Sequence, residues 1–161
     1  MSELGETDLR LLRRALEIAD QSRANGNHPF GALLADDRGQ ILVEAENTVV
    51  TESDCTGHAE TNLMRKASRK FGASLPANCT LYASAEPCPM CSGAIFWGNV
   101  RRVVFALGIE PLYQMIGDHP ENPSLYVHCR DILLKAPWPI EVLGPALEDE
   151  AAKVHIGHWQ K

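Results

Sequence analysis

The sequence predicts an α/β fold, a three-layer α/β/α sandwich around a mixed five-stranded sheet whose last two strands run parallel. Three observations predict it. After an N-terminal helical pattern, strand-like and helix-like stretches follow in the order β-β-α-β-α-β-α-β-α, which puts helices on both faces of a sheet. About 30 residues separate the last two strand stretches, enough for the crossover that parallel pairing needs. A chain of 161 residues with 45% apolar and 22% charged residues can bury a core of its own, so residues 1–161 are expected to form a single domain.

Thr7 is the expected N-cap of the first helix, where Leu9, Leu12, Leu16 and Ala19 recur at helical spacing and Asn25-Gly26 supplies the stop. Phe30 to Ala35 reads as a strand, Asp36 to Gly39 as a turn with Gly39 suited to a positive φ, and Gln40 to about Val50 as a second strand. A loop leads into a helix from His58 to about Phe71, with Ala59, Leu63, Ala67 and Phe71 on one apolar face. The run from Cys79 to Ala85 is β-branched and aromatic, a strand, and the helix Cys88 to about Trp97 follows it. Arg101 to Ala106 and Pro139 to Leu143 are the last two strands, with at least one helix between them. Ala146 to His158 is the expected terminal helix, with Leu147, Ala151 and Val154 on one face.

No apolar run approaches the roughly 18 residues of a membrane span, and MSELGETDLRLLRR lacks the apolar centre of a signal peptide, so a cytoplasmic protein without a membrane partner is expected. Five cysteines at irregular spacing fit metal binding better than a disulfide framework. Cys55, Cys79 and Cys129 are expected as small buried residues, although Cys55, three residues before His58, could approach a metal. The net charge is −6, and the stretch 108–150 holds eight acidic residues against Arg130 and Lys135, a surface that repels a phosphate backbone and argues against a nucleic-acid partner.

The chemistry is concentrated in His58-Ala59-Glu60 and Pro87-Cys88-Pro89-Met90-Cys91. One imidazole and two thiols give three protein ligands, the number used by catalytic zinc, which leaves its fourth position to water. Both thiols fall at a helix start, where free amides and the helix dipole favour thiolate. Zinc held by His58, Cys88 and Cys91, one ion per chain, would bring a water pKa down toward about 7. Glu60 leaves its helix about 200° around from His58, so it is not a fourth ligand in the same direction but can line the same cavity as a proton shuttle. Those parts suit hydrolytic deamination of a ring amidine. Taken alone, His58 could be a capping histidine and the CxxC a structural knuckle or redox pair.

The chain resembles the cytidine deaminase superfamily, in its purine and base deaminase branch, and is most similar to guanine deaminases. The resemblance runs from Pro29-Phe30-Gly31-Ala32 through Asn47, His58-Ala59-Glu60 and Glu86-Pro87-Cys88-Pro89-Met90-Cys91 to Gly93-Ala94-Ile95, and weakens beyond Leu107. It implies a cytidine deaminase-like fold, a small-molecule nucleobase substrate and a homodimer. It further implies that Asn47 hydrogen-bonds the substrate ring, that Phe30 helps form the pocket, and that backbone groups near Ala59 and Glu86 contact the base. Phe96-Trp97 after Ala94-Ile95 is similar to the guanine enzymes, which read their base with an acidic residue after the fourth strand and close a C-terminal aromatic segment over it. Asp118 is the best positional match for that acid, with Glu110 and Glu121 open as substitutes, and His155, His158 and Trp159 could form the lid.

The implied reaction is guanine to xanthine plus ammonia. The alternatives are wobble deamination of tRNA adenosine, which the acidic stretch disfavours, and deamination of cytosine, isocytosine or a triazine. Arg65, Lys66, Arg69 and Lys70 read as a solvated helix face rather than an RNA site. A zinc protein without catalysis is the reading from another class, and Glu60 argues against it.

Overall fold

In the computed structural model, which describes residues 3–160, the elements are α1 (Glu6–Ala24), β1 (Gly31–Ala35), β2 (Ile41–Glu46), α2 (Val49–Glu52), α3 (Ala59–Phe71), β3 (Thr80–Ala85), α4 (Pro89–Trp97), β4 (Arg102–Leu107), α5 (Ile109–Ile116), α6 (Cys129–Leu133), β5 (Glu141–Leu143) and α7 (Glu148–Lys153). The five strands form one mixed sheet ordered β2-β1-β3-β4-β5. β1 pairs antiparallel with β2 and β3, bringing Leu33 opposite Glu44 and Tyr82. β3, β4 and β5 are parallel, with Leu81 opposite Val103 and Val103 opposite Val142, as the long crossovers require.

β1 and β3 are buried at every position because helices cover both faces of the sheet, which is why they read as continuous apolar runs. Alternate residues of the strands enter different cores. Leu81, Ala83, Val103 and Phe105 pack with Leu63, Ala67, Ile95 and Leu133 of α3, α4 and α6. Tyr82, Val104 and Ala106 pack with Leu12, Leu112 and Ala151 of α1, α5 and α7. The α/β/α layering is thus the expected one.

Three local expectations are corrected, and the expectation of at least one helix between the last two strands is met. The cap of α1 is Gly5, not Thr7, because the Asp8 carboxylate reaches back to accept the Gly5 N–H at 3.1 Å. β2 stops at Glu46 and Val49–Glu52 turn into α2, held by Asn47 Oδ1 accepting from Val49 N–H at 3.0 Å and Asn27 Oδ1 accepting from Thr51 N–H at 3.0 Å. The terminal helix is only Glu148–Lys153, started by Leu147 at φ 60°, with turns after it. Between β4 and β5 the chain makes two helices, separated by irregular residues 117–128. The hairpin turn is as expected, with Gly39 at φ 77° and Asp36 Oδ1 accepting from the N–H groups of Arg38 and Gln40.

One polar network ties the helical layer to the sheet. Asp8 accepts from Tyr82 Oη at 2.6 Å and from both terminal nitrogens of Arg102 at 2.8 and 3.0 Å, while Arg102 Nε donates to Glu141 at 2.7 Å. These bonds, led by that to Arg102, hold the Asp8 carboxyl down at about 2, against its burial.

Candidate metal centre and its cavity

His58 and Cys88 are the N-caps of α3 and α4, and Cys91 lies in the first turn of α4. Both caps have extended backbone, so each side chain swings clear of its helix axis, and Pro89 at the first helical position costs no hydrogen bond. α3 packs on β2 and β1, and α4 follows β3 and packs beside α3, so residues thirty positions apart meet near the C-terminal end of β3. The three expected ligands converge. His58 Nδ1 lies 3.5 Å from each thiol sulfur, and the two sulfurs are 3.5 Å apart. Tetrahedral zinc, with bonds of about 2.0–2.1 Å to nitrogen and about 2.3 Å to sulfur, spaces its ligands by about 3.4–3.8 Å. The donor set therefore fits zinc in both kind and spacing, and these are the metal-holding residues found together among the described residues.

The protein groups share charge unevenly. Cys91 donating to Cys88, with help from His58, holds Cys88 at about 4 despite burial. Cys91 is pushed well above the usual thiol range, first by that coupling to Cys88 and then by burial. Burial works against a charged His58, but the Cys88 thiolate and the Glu60 charge outweigh it and raise its pKa. Zinc held by His58, Cys88 and Cys91 would favour both sulfurs as thiolates. Glu60, in the first turn of α3, is 5% exposed, and its Oε2 stands 3.3 Å from Cys91 Sγ. Burial, then the Cys88 charge, raises its pKa.

His58, Glu60 and Cys88 floor a cavity of about 380 Å³, with Cys91 buried beneath it. Phe30 and Asn47 line it, and Asn47 is 2% exposed. Because Asn47 Oδ1 accepts from Val49 N–H, its amide NH₂ is the end left for the cavity. Ala59 has no exposed surface and begins α3 directly after His58. Glu86 lines the cavity, but its groups are engaged. Its N–H donates to Leu107 O at 2.8 Å, and its carboxylate accepts from Cys129 N–H at 3.0 Å and Ile109 N–H at 3.3 Å and meets His128 Nδ1 at 3.1 Å. Glu86 thereby joins the starts of α5 and α6 to the loop that carries Cys88. Cys55 is exposed and lines the cavity without joining the ligand cluster.

Two expectations about the specificity side change. Asp118 is exposed and is not part of the cavity wall, because Gly117, at φ 61° and ψ −140°, ends α5 and turns the chain toward solvent there. Glu121, one of the two substitutes, lines the wall with Asn122, Pro123 and Leu125. Trp159 is buried at 6% exposure but lies behind the wall, stacked at 4.9 Å on His28 and 6.2 Å from Phe30, and its Nε1 donates to His155 at 3.1 Å. The C-terminal aromatic segment thus backs the pocket from the α1 side. Sequence reasoning missed His28 and Tyr113 as lining residues. His28 directly precedes the matched Pro29-Phe30 stretch, the one signal that could have singled it out.

Over residues 5–107 the sequence matches the family described as the cytidine and deoxycytidylate deaminase zinc-binding region. A Schizosaccharomyces pombe protein described as a probable cytosine deaminase is 45% identical over 161 residues, covering 98% of this chain and 96% of that one. A tRNA-specific adenosine deaminase from Haemophilus influenzae is 41% identical over 128 residues, covering 76% of this chain and 74% of that one. Among solved structures, the guanine deaminase from Nitrosomonas europaea superposes with a TM-score of 0.77 at 27% identity, covering 96% of this chain and 85% of that one.

Proposed function

This chain belongs to the cytidine and deoxycytidylate deaminase family, a zinc-dependent deaminase fold, and from that premise we propose that it hydrolyses the exocyclic amine of a free nucleobase, guanine, to give xanthine and ammonia. The observation that carries the reading is a buried Glu60 beside the three ligands, on a cavity that also offers Asn47 and Glu121 in its wall.

Bound zinc supplies the Lewis acidity that makes water a competent nucleophile at neutral pH. Glu60 takes the proton that this water gives up and passes it to the ring nitrogen next to the attacked carbon. The same carboxyl then carries the proton of the hydroxyl now on that carbon to the amine, so that the C–N bond breaks, ammonia leaves and the carbonyl of the product forms. Asn47 donates to a ring acceptor and Phe30 supplies an apolar wall for the flat base. Glu121 accepts from a ring N–H. A free purine base has such a donor on its imidazole ring where a nucleoside carries its sugar, so a carboxylate there favours the free base. The acidic wall also disfavours RNA.

A second reading is cytosine as substrate, favoured by the 45% identity that extends over nearly all of both chains. The homodimer implied by the family resemblance falls in this proposal on the outer face of α4, where Trp97 is 83% exposed and Met90 38% exposed.

The test is ammonia release by zinc-loaded protein from guanine, cytosine, adenine, guanosine and a tRNA anticodon stem-loop. Highest kcat/KM on guanine, with little on guanosine, supports the reading. Cytosine ahead of guanine selects the second reading, and turnover of the stem-loop above both bases overturns the free-base assignment.

A further inference from the structure

We propose that His28 is a positioning residue for base recognition, holding the Glu121 carboxylate in the cavity wall, with His158 setting which nitrogen of the His28 ring carries the proton. The inference rests on the reading of Glu121 as the group that meets a ring N–H. Glu121 belongs to a segment of neither helix nor strand and its side chain is 60% exposed, so its rotamers are open unless a partner restrains them. His28 is that partner. Its Nε2 stands 3.4 Å from Glu121 Oε2, longer than a well-made hydrogen bond, a contact of the kind that tightens when substrate arrives.

The His28 ring is itself fixed from behind. It stacks on Trp159 at 4.9 Å and 25°, and it meets His158 edge-on at 5.3 Å and 89°. Its Nδ1 lies 3.0 Å from His158 Nε2. A carboxylate only accepts, so on this proposal the nitrogen facing Glu121 carries the hydrogen. In a neutral ring Nδ1 is then the acceptor, and His158 Nε2 must be the donor. The order of donation runs from His158 to His28 to Glu121, and the C-terminal segment acts on recognition through His28 rather than by covering the substrate.

Steady-state kinetics on guanine for H28F, H28Q, E121Q and the double variant H28F/E121Q test this, together with ¹⁵N histidine NMR of the wild type and E121Q at mildly alkaline pH. Phe keeps a ring to stack on Trp159 and has no N–H, whereas Gln keeps a donor at a similar reach and has no ring. The expected result is a KM raised about tenfold or more in H28F with a smaller change in kcat, recovery of most of that loss in H28Q, and a double variant no worse than E121Q. NMR should show His28 as the Nε2–H tautomer, with its Nε2 resonance shifted in E121Q. An H28Q protein as impaired as H28F, additive losses in the double variant, or an Nδ1–H tautomer would overturn the proposal in favour of simple packing. Zinc-loaded wild type that leaves guanine untouched would strike the functional reading instead, and the tautomer and its response to E121Q would still decide the role of His28.

Discussion

His58 and Cys88 cap two helices whose following residues are buried beneath a sheet, whereas Glu121 comes from an irregular segment that spans twelve residues between α5 and α6. The floor of the cavity is therefore positioned by regular secondary structure and the wall by single side-chain contacts. Helix starts hold their groups without help from distant residues, because cap geometry is local. The wall is held by Tyr113 Oη donating to Leu125 O at 3.0 Å, by His28 beside Glu121, and by His128 between Glu86 and Glu110. In the proposed function, reaction type belongs to the helix starts and choice of base to the irregular segment, the usual division between scaffold and loops.

The comparison breaks first if the floor is not a metal site. Cys91→Ser should drop bound zinc well below one ion per chain and lower kcat/KM by roughly a thousandfold or more, the several kcal/mol that a metal Lewis acid supplies. Metal analysis alongside the ammonia assay checks it, and full zinc with full activity would remove Cys91 from the ligand set. A smaller effect belongs to the wall. Glu121→Gln should lower kcat/KM on guanine by about ten- to a hundredfold with zinc retained, while Asp118→Asn leaves it unchanged. The reverse ranking would return Asp118 to the site.

The smallest effect on activity, and a clear one on stability, lies outside the cavity. The Asp8 carboxyl is held at about 2 in the folded protein against an ordinary 3.8, so its stabilisation, about 2 kcal/mol, is complete above about pH 4 and is lost as pH falls toward 2. Asp8→Asn should lower unfolding free energy at neutral pH by a similar amount and flatten that acid limb, with kcat/KM unchanged. Denaturant melts across pH check it, and an unaltered acid limb would place the stabilisation elsewhere.

The same division governs what could be read from the sequence. The strand from Thr80 to Ala85, and the motif spacing that puts His58 and both thiols at helix starts, depend on near neighbours and were legible. The place of Glu60 in the first turn beside His58 was legible for the same reason. Asp118 was chosen over Glu121 because nothing in the residues after Ile116 reveals that Gly117 turns the chain outward before the segment returns along the cavity. Thr7 was favoured as a cap because the competing Asp8 carboxylate draws its place from Tyr82 and Arg102, which are 74 and 94 residues away. Trp159 was legible as part of the C-terminal aromatic segment but not as the support behind His28, since that stacking joins opposite ends of the chain.

Zinc content and ammonia release measured on the same samples of wild type and Glu60→Ala test most directly whether holding the metal and moving the proton are separate duties of the two helix starts. The expected result is about one zinc per chain in both proteins and a loss of roughly 10²–10⁴-fold in kcat in the variant. Retained turnover in the zinc-loaded variant would contradict Glu60 as the shuttle, and loss of zinc together with activity would contradict the separation of duties.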